Sequence, residues 1–208
     1  MRYLKLLGAV AVGLLAVIAI AGAGSASATV LCKEEASPCP AGQRYEKGTE
    51  VSAEGSSTLE SVFATVKCST SSVMIKTKAE SGKPLPAEVN TAEWGGCKDQ
   101  SSNSCAVKAT EIAWKASFEW TGGSIAKLIF ENSGLEFTCA KETCKYGTAK
   151  ETGTFVGAEV FKIEIGATTL ERKAGSGLSC STTATLTPQI MGGSKTYYEG
   201  PVTVYPSS

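Results

Sequence analysis

The sequence has no histidine, and aspartate occurs once, at Asp99. Histidine is the commonest general base and metal ligand in proteins, so its absence removes the usual centre of hydrolytic and zinc-dependent sites. The chain also lacks a Walker loop, a dinucleotide-binding fingerprint, a G-x-S-x-G elbow and a D-x-D-x-D-G calcium loop. These absences predict a non-catalytic protein with neither a metal nor a cofactor.

The first 28 residues have the three parts of an export signal. Arg2 and Lys5 precede an apolar run over residues 6–23, and small residues end the segment at Ala26-Ser27-Ala28. The pattern predicts a signal-peptide helix that is cleaved before Thr29, and hence a secreted or envelope protein. An uncleaved anchor stays open as an alternative, because the apolar run approaches the roughly 20 residues that span a bilayer.

Cleavage would remove two basic residues and leave 18 basic against 20 acidic ones, a net charge of −2. A near-neutral surface argues against nucleic acid or an anionic membrane as partner. The remaining length is that of one domain. We expect a signal peptide at 1–28, a disulfide-held N-terminal arm at 29–47 and a single β domain at 48–208.

Short alternating segments rich in Val, Ile and Thr recur through this domain, separated by turn residues. They predict an all-β fold, an antiparallel β sandwich or barrel of about ten short strands. Residues 61–68 alternate like one half-buried strand, and 121–124 has the composition of a hairpin turn. Asn132-Ser133-Gly134 predicts a further reversal, and the proline-containing segment 81–86 predicts a surface loop.

Eight cysteines in an exported chain predict four disulfides, which stabilise the domain. Of the 105 possible connectivities, spacing favours three local pairs and one long-range pair, namely Cys32–Cys39, Cys97–Cys105, Cys139–Cys144 and Cys68–Cys180. The long-range bridge would then be the main one, contributing about 4–5 kcal/mol in the chain-entropy model. No pair has the C-x-x-C spacing of zinc or redox sites, so a structural role is favoured.

Three tryptophans are the candidate ligand-binding residues. Trp94, Trp114 and Trp120 would form a stacking platform for sugars, with polar contacts from neighbours such as Glu93, Lys115 or Glu119. The alternative is that the indoles pack in the core, where large aromatic side chains on strands are usually found. The polar segment between Cys97 and Cys105 is a second candidate recognition surface.

Three functions are compatible with these residues. The first is a binding module for an extracellular protein or glycan, and the second is a structural component of the envelope or matrix without a discrete site. The third is a hydrolase with two glutamates about 5–9 Å apart. The sequence favours the first, and it contains no signal for the ligand or the oligomeric state.

Short pieces across the mature chain carry a resemblance to a known group. They are Leu31-Cys32 with Cys39, Arg44-Tyr45, Ala64-Thr65-Val66-Lys67-Cys68, Gly96-Cys97, Ala113-Trp114-Lys115-Ala116, Cys139 with Cys144, Leu170-Glu171-Arg172, Leu178-Ser179-Cys180 and the ending from Pro201 to Tyr205. In this layout the chain resembles the uncharacterised small secreted cysteine-containing β proteins of high-GC actinobacteria. The resemblance implies secretion, an all-β fold and the cysteine framework, and it implies no activity.

The cleavage site gives a direct prediction. Protein recovered from the culture medium of an expressing bacterium should begin with Thr29, because the A-x-A motif places the scissile bond after Ala28. N-terminal sequencing or intact mass measures this. Ala28→Leu should block processing, since the signal peptidase requires a small residue there. A mature product that still carries Met1 would contradict the assignment.

Overall fold

The computed structural model describes residues 28–62, 64–188, 191–192 and 204–208. These residues are all-β, which confirms the predicted fold class. None of them belongs to a helix with the length and hydropathy of a membrane span. The predicted signal-peptide helix lies outside the described residues, apart from Ala28.

Fourteen strands and one short 3-10 turn, Ala41–Gln43, occur in the described residues. The strands are β1 Thr29–Cys32, β2 Glu50–Ser61, β3 Thr65–Thr77, β4 Ser81–Gly82, β5 Leu85–Gly95, β6 Cys105–Thr110, β7 Trp114–Gly122, β8 Ile125–Cys139, β9 Glu142–Val156, β10 Lys162–Ile165, β11 Thr168–Arg172, β12 Thr183–Pro188, β13 Met191–Gly192 and β14 Tyr205–Ser207.

Eleven strands close into one antiparallel barrel with eight strand positions. β6 and β7 are two halves of one interrupted position, as are β10 with β11 and β12 with β13. Each position pairs with the next along the chain, and β12 and β13 return to β2. The barrel is therefore a simple meander, a connectivity that needs only short turns between neighbouring strands.

The long strands correct several sequence predictions. β8 continues through Asn132, which takes a positive φ of 57°, so the reversal predicted there is wrong. The predicted strand over 61–68 is also wrong, because β2 ends at Ser61 and β3 begins at Thr65. The 81–86 loop instead holds β4 and the start of β5, where Leu85 is buried. The hairpin turn at 121–124 is confirmed.

Irregular backbone occurs at mid-height on several strands, and we call this level the waist. β2 has a bulge between Gly55 and Ser57, β8 has Asn132 at positive φ, and β6 gives way to β7 across Glu111 and Ala113, both also at positive φ. A bulge changes which side chains point inward. As a result the waist divides the barrel interior into two apolar cores.

The large core fills the upper half of the barrel. Phe155 packs edge-to-face on Phe118 at 5.4 Å between ring centroids and stacks on Phe161 at 5.1 Å. A small sheet of β14, β1 and β4 closes this end and contributes Leu31 and Val204 to the core. The segment expected to be an N-terminal arm thus also forms part of the end closure.

The small core fills the lower half. Phe137 stacks on Tyr146 at 5.8 Å, and the Tyr146 hydroxyl lies 2.9 Å from the Ser181 hydroxyl. Cys68, Cys144 and Cys180 are buried in the same core. Three disulfides therefore gather at the lower end of the barrel, whereas the fourth holds the upper sheet.

The disulfide pairing confirms Cys32–Cys39 and corrects the other three predicted pairs. The bridges are Cys68–Cys97, Cys105–Cys139 and Cys144–Cys180. Sequence proximity misled the prediction because strand register decides which cysteines meet: Cys105 lies opposite Cys139, and Cys144 lies opposite Phe137. Each of the three loops closed contributes about 3–4 kcal/mol in the chain-entropy model, so no single bridge dominates.

The outer face carries rows of alternating charge that run across neighbouring strands. One row is Glu50, Lys76, Glu88, Lys115, Glu131 and Lys150, each residue directly opposite the next. In a second row Glu136 contacts Lys108 at 2.8 Å and Lys145 at 3.4 Å. Opposite charges in cross-strand pairs favour this register over slipped alternatives.

The second row predicts a pH-dependent contribution to stability. The hydrogen bond from Lys108, reinforced by Lys145, lowers the pKa of Glu136. A carboxyl with a lowered pKa stabilises the fold above its unfolded-state pKa, and that contribution disappears as the pH falls through the folded-state value. Glu136→Gln should cost about 0.5–1 kcal/mol at neutral pH, since both lysines are largely solvated.

Urea unfolding at neutral and acidic pH measures this difference. Glu131→Gln is the matched control, because Glu131 is exposed on the same strand and forms no ion pair within 4 Å with a described residue. The gap between wild type and Glu136→Gln should close on acidification. Equal effects of the two substitutions at every pH would contradict the assignment.

Candidate functional site

A cavity of about 60 Å³ lies at the waist, between the two cores. Its apolar wall is formed by Trp94, Trp114, Phe130, Ile165, Leu170 and Leu186. Its polar lining includes Ser57, Ser71, Ser133 and Glu151. An enclosed apolar space with a few converging polar groups is the usual form of a small-molecule site.

The aromatic wall and the carboxyl lie on consecutive strand positions. Trp94 lies on β5, Trp114 on β7 and Phe130 on β8, directly opposite Glu151 on β9. Trp114 is 9 % exposed, and its indole N–H donates to the Thr110 carbonyl at 2.8 Å. With that donor satisfied, the remaining indole surface offers an apolar face to the cavity.

Glu151 is the one ionisable residue among the described residues that line the cavity. Its side chain is 8 % exposed, and Oε1 accepts a 2.9 Å hydrogen bond from the Thr168 hydroxyl. Burial raises the pKa of Glu151, while hydrogen bonds from Thr168 and Ser133 oppose part of this rise. No lysine or arginine of the described residues forms an ion pair with it.

Two serines complete the polar side of the waist. Ser57 on β2 and Ser71 on β3 are buried, and their hydroxyls lie 2.8 Å apart. The bulge between Gly55 and Ser57 leaves Ser57 facing inward at this level. Because each hydroxyl both donates and accepts, this pair has further hydrogen-bonding capacity directed at the cavity.

The structure brings two of the three predicted tryptophans together. Trp94 and Trp114 line the cavity, whereas Trp120 lies at the β7–β8 hairpin, where its indole N–H donates to the Gly123 carbonyl at 2.8 Å. The three indoles therefore do not share one exposed surface. Glu93 and Lys115 lie on the outer face of the barrel.

Sequence reasoning missed Glu151 and the three serines. The available signal was the alternation of Glu151, Gly153 and Phe155, which places the carboxyl on the same inward face as a core phenylalanine. A charged residue at an inward position indicates a polar site rather than ordinary packing.

A groove on the outer face of the barrel lies against the same wall. We call this groove of about 360 Å³ the outer groove; it includes Glu54, Ser72, Glu93 and Trp94 in its lining. Ser71, Ser72 and Trp94 line both the outer groove and the waist cavity. The waist cavity and the outer groove therefore share part of their lining at this point.

A larger polar groove, of about 660 Å³, lies below it and is called the lower groove here. Lys67, Lys98 and Gln100 contribute to its lining, and the Gln100 amide donates to the Thr65 hydroxyl at 2.9 Å. The segment between Cys97 and Cys105 folds around Asp99, whose pKa is lowered by the hydrogen bond from the Asn103 side chain. Separate disulfides anchor the two ends of this segment.

Comparison with family models, with curated proteins and with solved structures found no match to this chain. Within the described part of the chain, no three Cys, Asp or Glu side chains converge as metal ligands. The site therefore has to be interpreted from its own residues.

The buried carboxyl gives a prediction for stability against pH. A carboxyl whose pKa is raised in the fold favours folding while it is protonated, and this contribution is lost as the pH rises through the folded-state pKa. The free energy of unfolding of Glu151→Gln should therefore exceed that of the wild type increasingly as the pH rises above about 4, the ordinary pKa of a glutamate, until the pH passes the folded-state pKa of Glu151. Urea titrations from acidic to neutral pH measure the difference.

The control is Glu164→Gln, which makes the same chemical change on an exposed, outward-facing residue of β10. Its stability profile should run parallel to that of the wild type. If the Glu151→Gln profile were also parallel, the carboxyl would not be destabilised by burial in the folded state.

Proposed function

We propose that this chain is an exported, non-catalytic binding protein that encloses a small molecule in the waist cavity. The supporting observation is the cavity itself, in which aromatic side chains from β5, β7 and β8 face the same space as the buried carboxyl of Glu151. Eight-stranded barrels have an interior just wide enough to be filled by side chains or to hold one small ligand.

The size of the cavity limits the enclosed group to a few non-hydrogen atoms. Its 60 Å³ is about twice the roughly 30 Å³ that a water molecule takes up in the liquid, and well below the ~150 Å³ of an engineered cavity that binds benzene. A sugar ring is larger than this space. Sugar stacking on the indoles inside the barrel is therefore disfavoured, and a small compact group fits better.

Binding is favoured over hydrolysis by the distribution of carboxyls. Hydrolysis by a glutamate pair needs two carboxyls facing each other across a cleft, one of them desolvated enough to act as the acid. Among the described residues that line the cavity, Glu151 is the only one with a carboxyl group. Glu54 and Glu93 border the outer groove, but both are exposed and lie on strands that flank β3, one strand apart from each other.

Export is supported by the four disulfides, because such bridges persist in oxidising compartments. The A-x-A segment before Thr29 adds independent support from the sequence. Together they support a binding function outside the cytoplasm, as the resemblance to secreted β proteins also implies.

Recognition of a protein or glycan at the lower groove is a second candidate function. The observation that favours it is the pair Lys67 and Lys98, which lie directly opposite each other and form no ion pair with a described residue. Like charges in opposed positions destabilise a sheet. An anionic partner would relieve that repulsion.

Tryptophan fluorescence tests the proposed function. A library of fragments with about three to six non-hydrogen atoms should contain members that change the emission of Trp94 and Trp114 saturably. Ala92 lines the cavity, so Ala92→Leu should fill the space and abolish the response, at a cost of about 1–3 kcal/mol in stability.

Trp120→Phe is the matched control, since Trp120 lies outside the cavity, and it should leave the response intact. Fragments that bind Ala92→Leu as tightly as wild type would contradict an enclosed site. A glycan or protein whose binding survives Ala92→Leu but is lost in Lys67→Glu and Lys98→Glu would place the function at the lower groove instead.

A further inference from the structure

Building on the proposed function, we infer that the molecule bound at the waist is a small ammonium ion, with Glu151 as its counter-charge and the indoles of Trp94 and Trp114 as its walls. The inference depends on four observations: no cation of the described residues pairs with the Glu151 carboxyl, aromatic side chains surround the cavity, the cavity is small, and the outer groove beside it is acidic.

The carboxyl of Glu151 is more than nine-tenths buried, and its two hydrogen-bonding partners, Thr168 and Ser133, are neutral hydroxyls. Buried charges in proteins are normally paired, because hydroxyl donors alone do not replace the lost hydration. Within the described residues no cation reaches this carboxylate. A cationic ligand supplies the missing charge.

The aromatic wall selects the kind of cation. Trp94, Trp114 and Phe130 line the same cavity as the carboxyl, and indole faces attract organic cations more strongly than other aromatic rings do. Ammonium groups are recognised in this way, by aromatic faces together with an acidic group. An inorganic cation requires a shell of oxygen ligands, which a mostly apolar wall does not provide.

The volume limits the cation to a small primary ammonium. About 60 Å³ accommodates methylammonium with little else, whereas an aromatic amine, an amino sugar or tetramethylammonium, which is about as bulky as benzene, is larger than the space. The hydroxyl pair of Ser57 and Ser71 offers acceptors for the N–H groups of such a primary amine.

The outer groove provides an electrostatic approach. Glu54, Ser72 and Glu93 are cross-strand neighbours in one row, and neither carboxylate forms an ion pair with a described residue. Lys108 lies opposite Glu93 in the same row, but its ammonium is ion-paired with Glu136. No lysine or arginine contributes to the described lining of this groove. A groove of negative potential concentrates cations next to Trp94, which borders both spaces.

Isothermal titration calorimetry with simple probes tests the inference. The probes are methylammonium chloride, with methanol as a neutral match, sodium acetate as an anion and potassium chloride as an inorganic cation, all at constant ionic strength. Methylammonium should bind saturably and at least about tenfold more tightly than methanol. Acetate and potassium should neither bind nor compete.

Glu151→Gln should remove the preference for methylammonium over methanol, whereas Glu164→Gln should retain it. The wild type offers a second measurement that does not depend on any variant. Methylammonium affinity should fall on acidification as Glu151 is protonated, with methanol unaffected. The strands beside Glu151 present Phe130, Ser133, Thr168 and Leu170 to it, none of which titrates; the carboxylates that line the outer groove are Glu54 and Glu93.

A double variant tests the electrostatic role of the outer groove. Glu54→Gln with Glu93→Gln should weaken ammonium binding about two- to threefold at low ionic strength and have no effect at high ionic strength, because exposed charges act through a screened field. A loss that persists at high salt would contradict a role limited to steering the ligand.

The outcomes separate the two proposals. If methanol binds as tightly as methylammonium and Glu151→Gln changes neither, the ammonium assignment is overturned while a small-molecule site in the cavity stands. Equal binding of potassium would also overturn it, in favour of an inorganic cation. If none of the probes binds and no fragment responds to Ala92→Leu, both the ammonium assignment and the proposed function fail.

Discussion

Closure of the barrel is the constraint on which the rest of this structure depends. A sheet that returns from β12 and β13 to β2 leaves no free edge in the barrel, so its backbone groups pair internally. In exchange, the enclosed space has to be filled by inward side chains along its whole length. The large and small cores meet this requirement above and below, and the bulges at the waist are where apolar filling is interrupted.

The ends of the barrel explain how an interrupted interior remains stable. Three disulfides cross between neighbouring strands or loops at the lower end, and the sheet of β1, β4 and β14 closes the upper end. The charge rows on the outside add register specificity strand by strand. Constraints at both ends and on the outer face hold the waist in place without requiring it to pack like a core.

The sequence predicts the fold class, the presence of four disulfides and the hairpin at 121–124, because these depend on local composition and alternation. The sequence-based prediction fails where the outcome depends on the register between strands that are distant in the chain. Asn132 is a typical turn residue, yet β8 pairs with β9 in the same register on both sides of it, and the strand continues through it. The same pairing directs Cys105 to Cys139 rather than to Cys97. Trp94 and Trp114 were identified by residue type, whereas Glu151 became visible only when the bulges showed which residues face inward.

The residues found at the waist indicate that this level of the barrel has a functional role. A leucine in place of Glu151 would fill the cavity, remove a desolvated carboxyl and, by general experience with buried charges, make the fold more stable. The chain instead places hydroxyls from Thr168 and Ser133 around this carboxyl and keeps a second hydroxyl pair nearby. Residues that violate local stability rules while being surrounded by supporting contacts are typical of functional sites. The three disulfides lie at the lower end of the barrel, away from the waist. They stabilise the fold and so offset the cost of a buried carboxyl and an unfilled cavity.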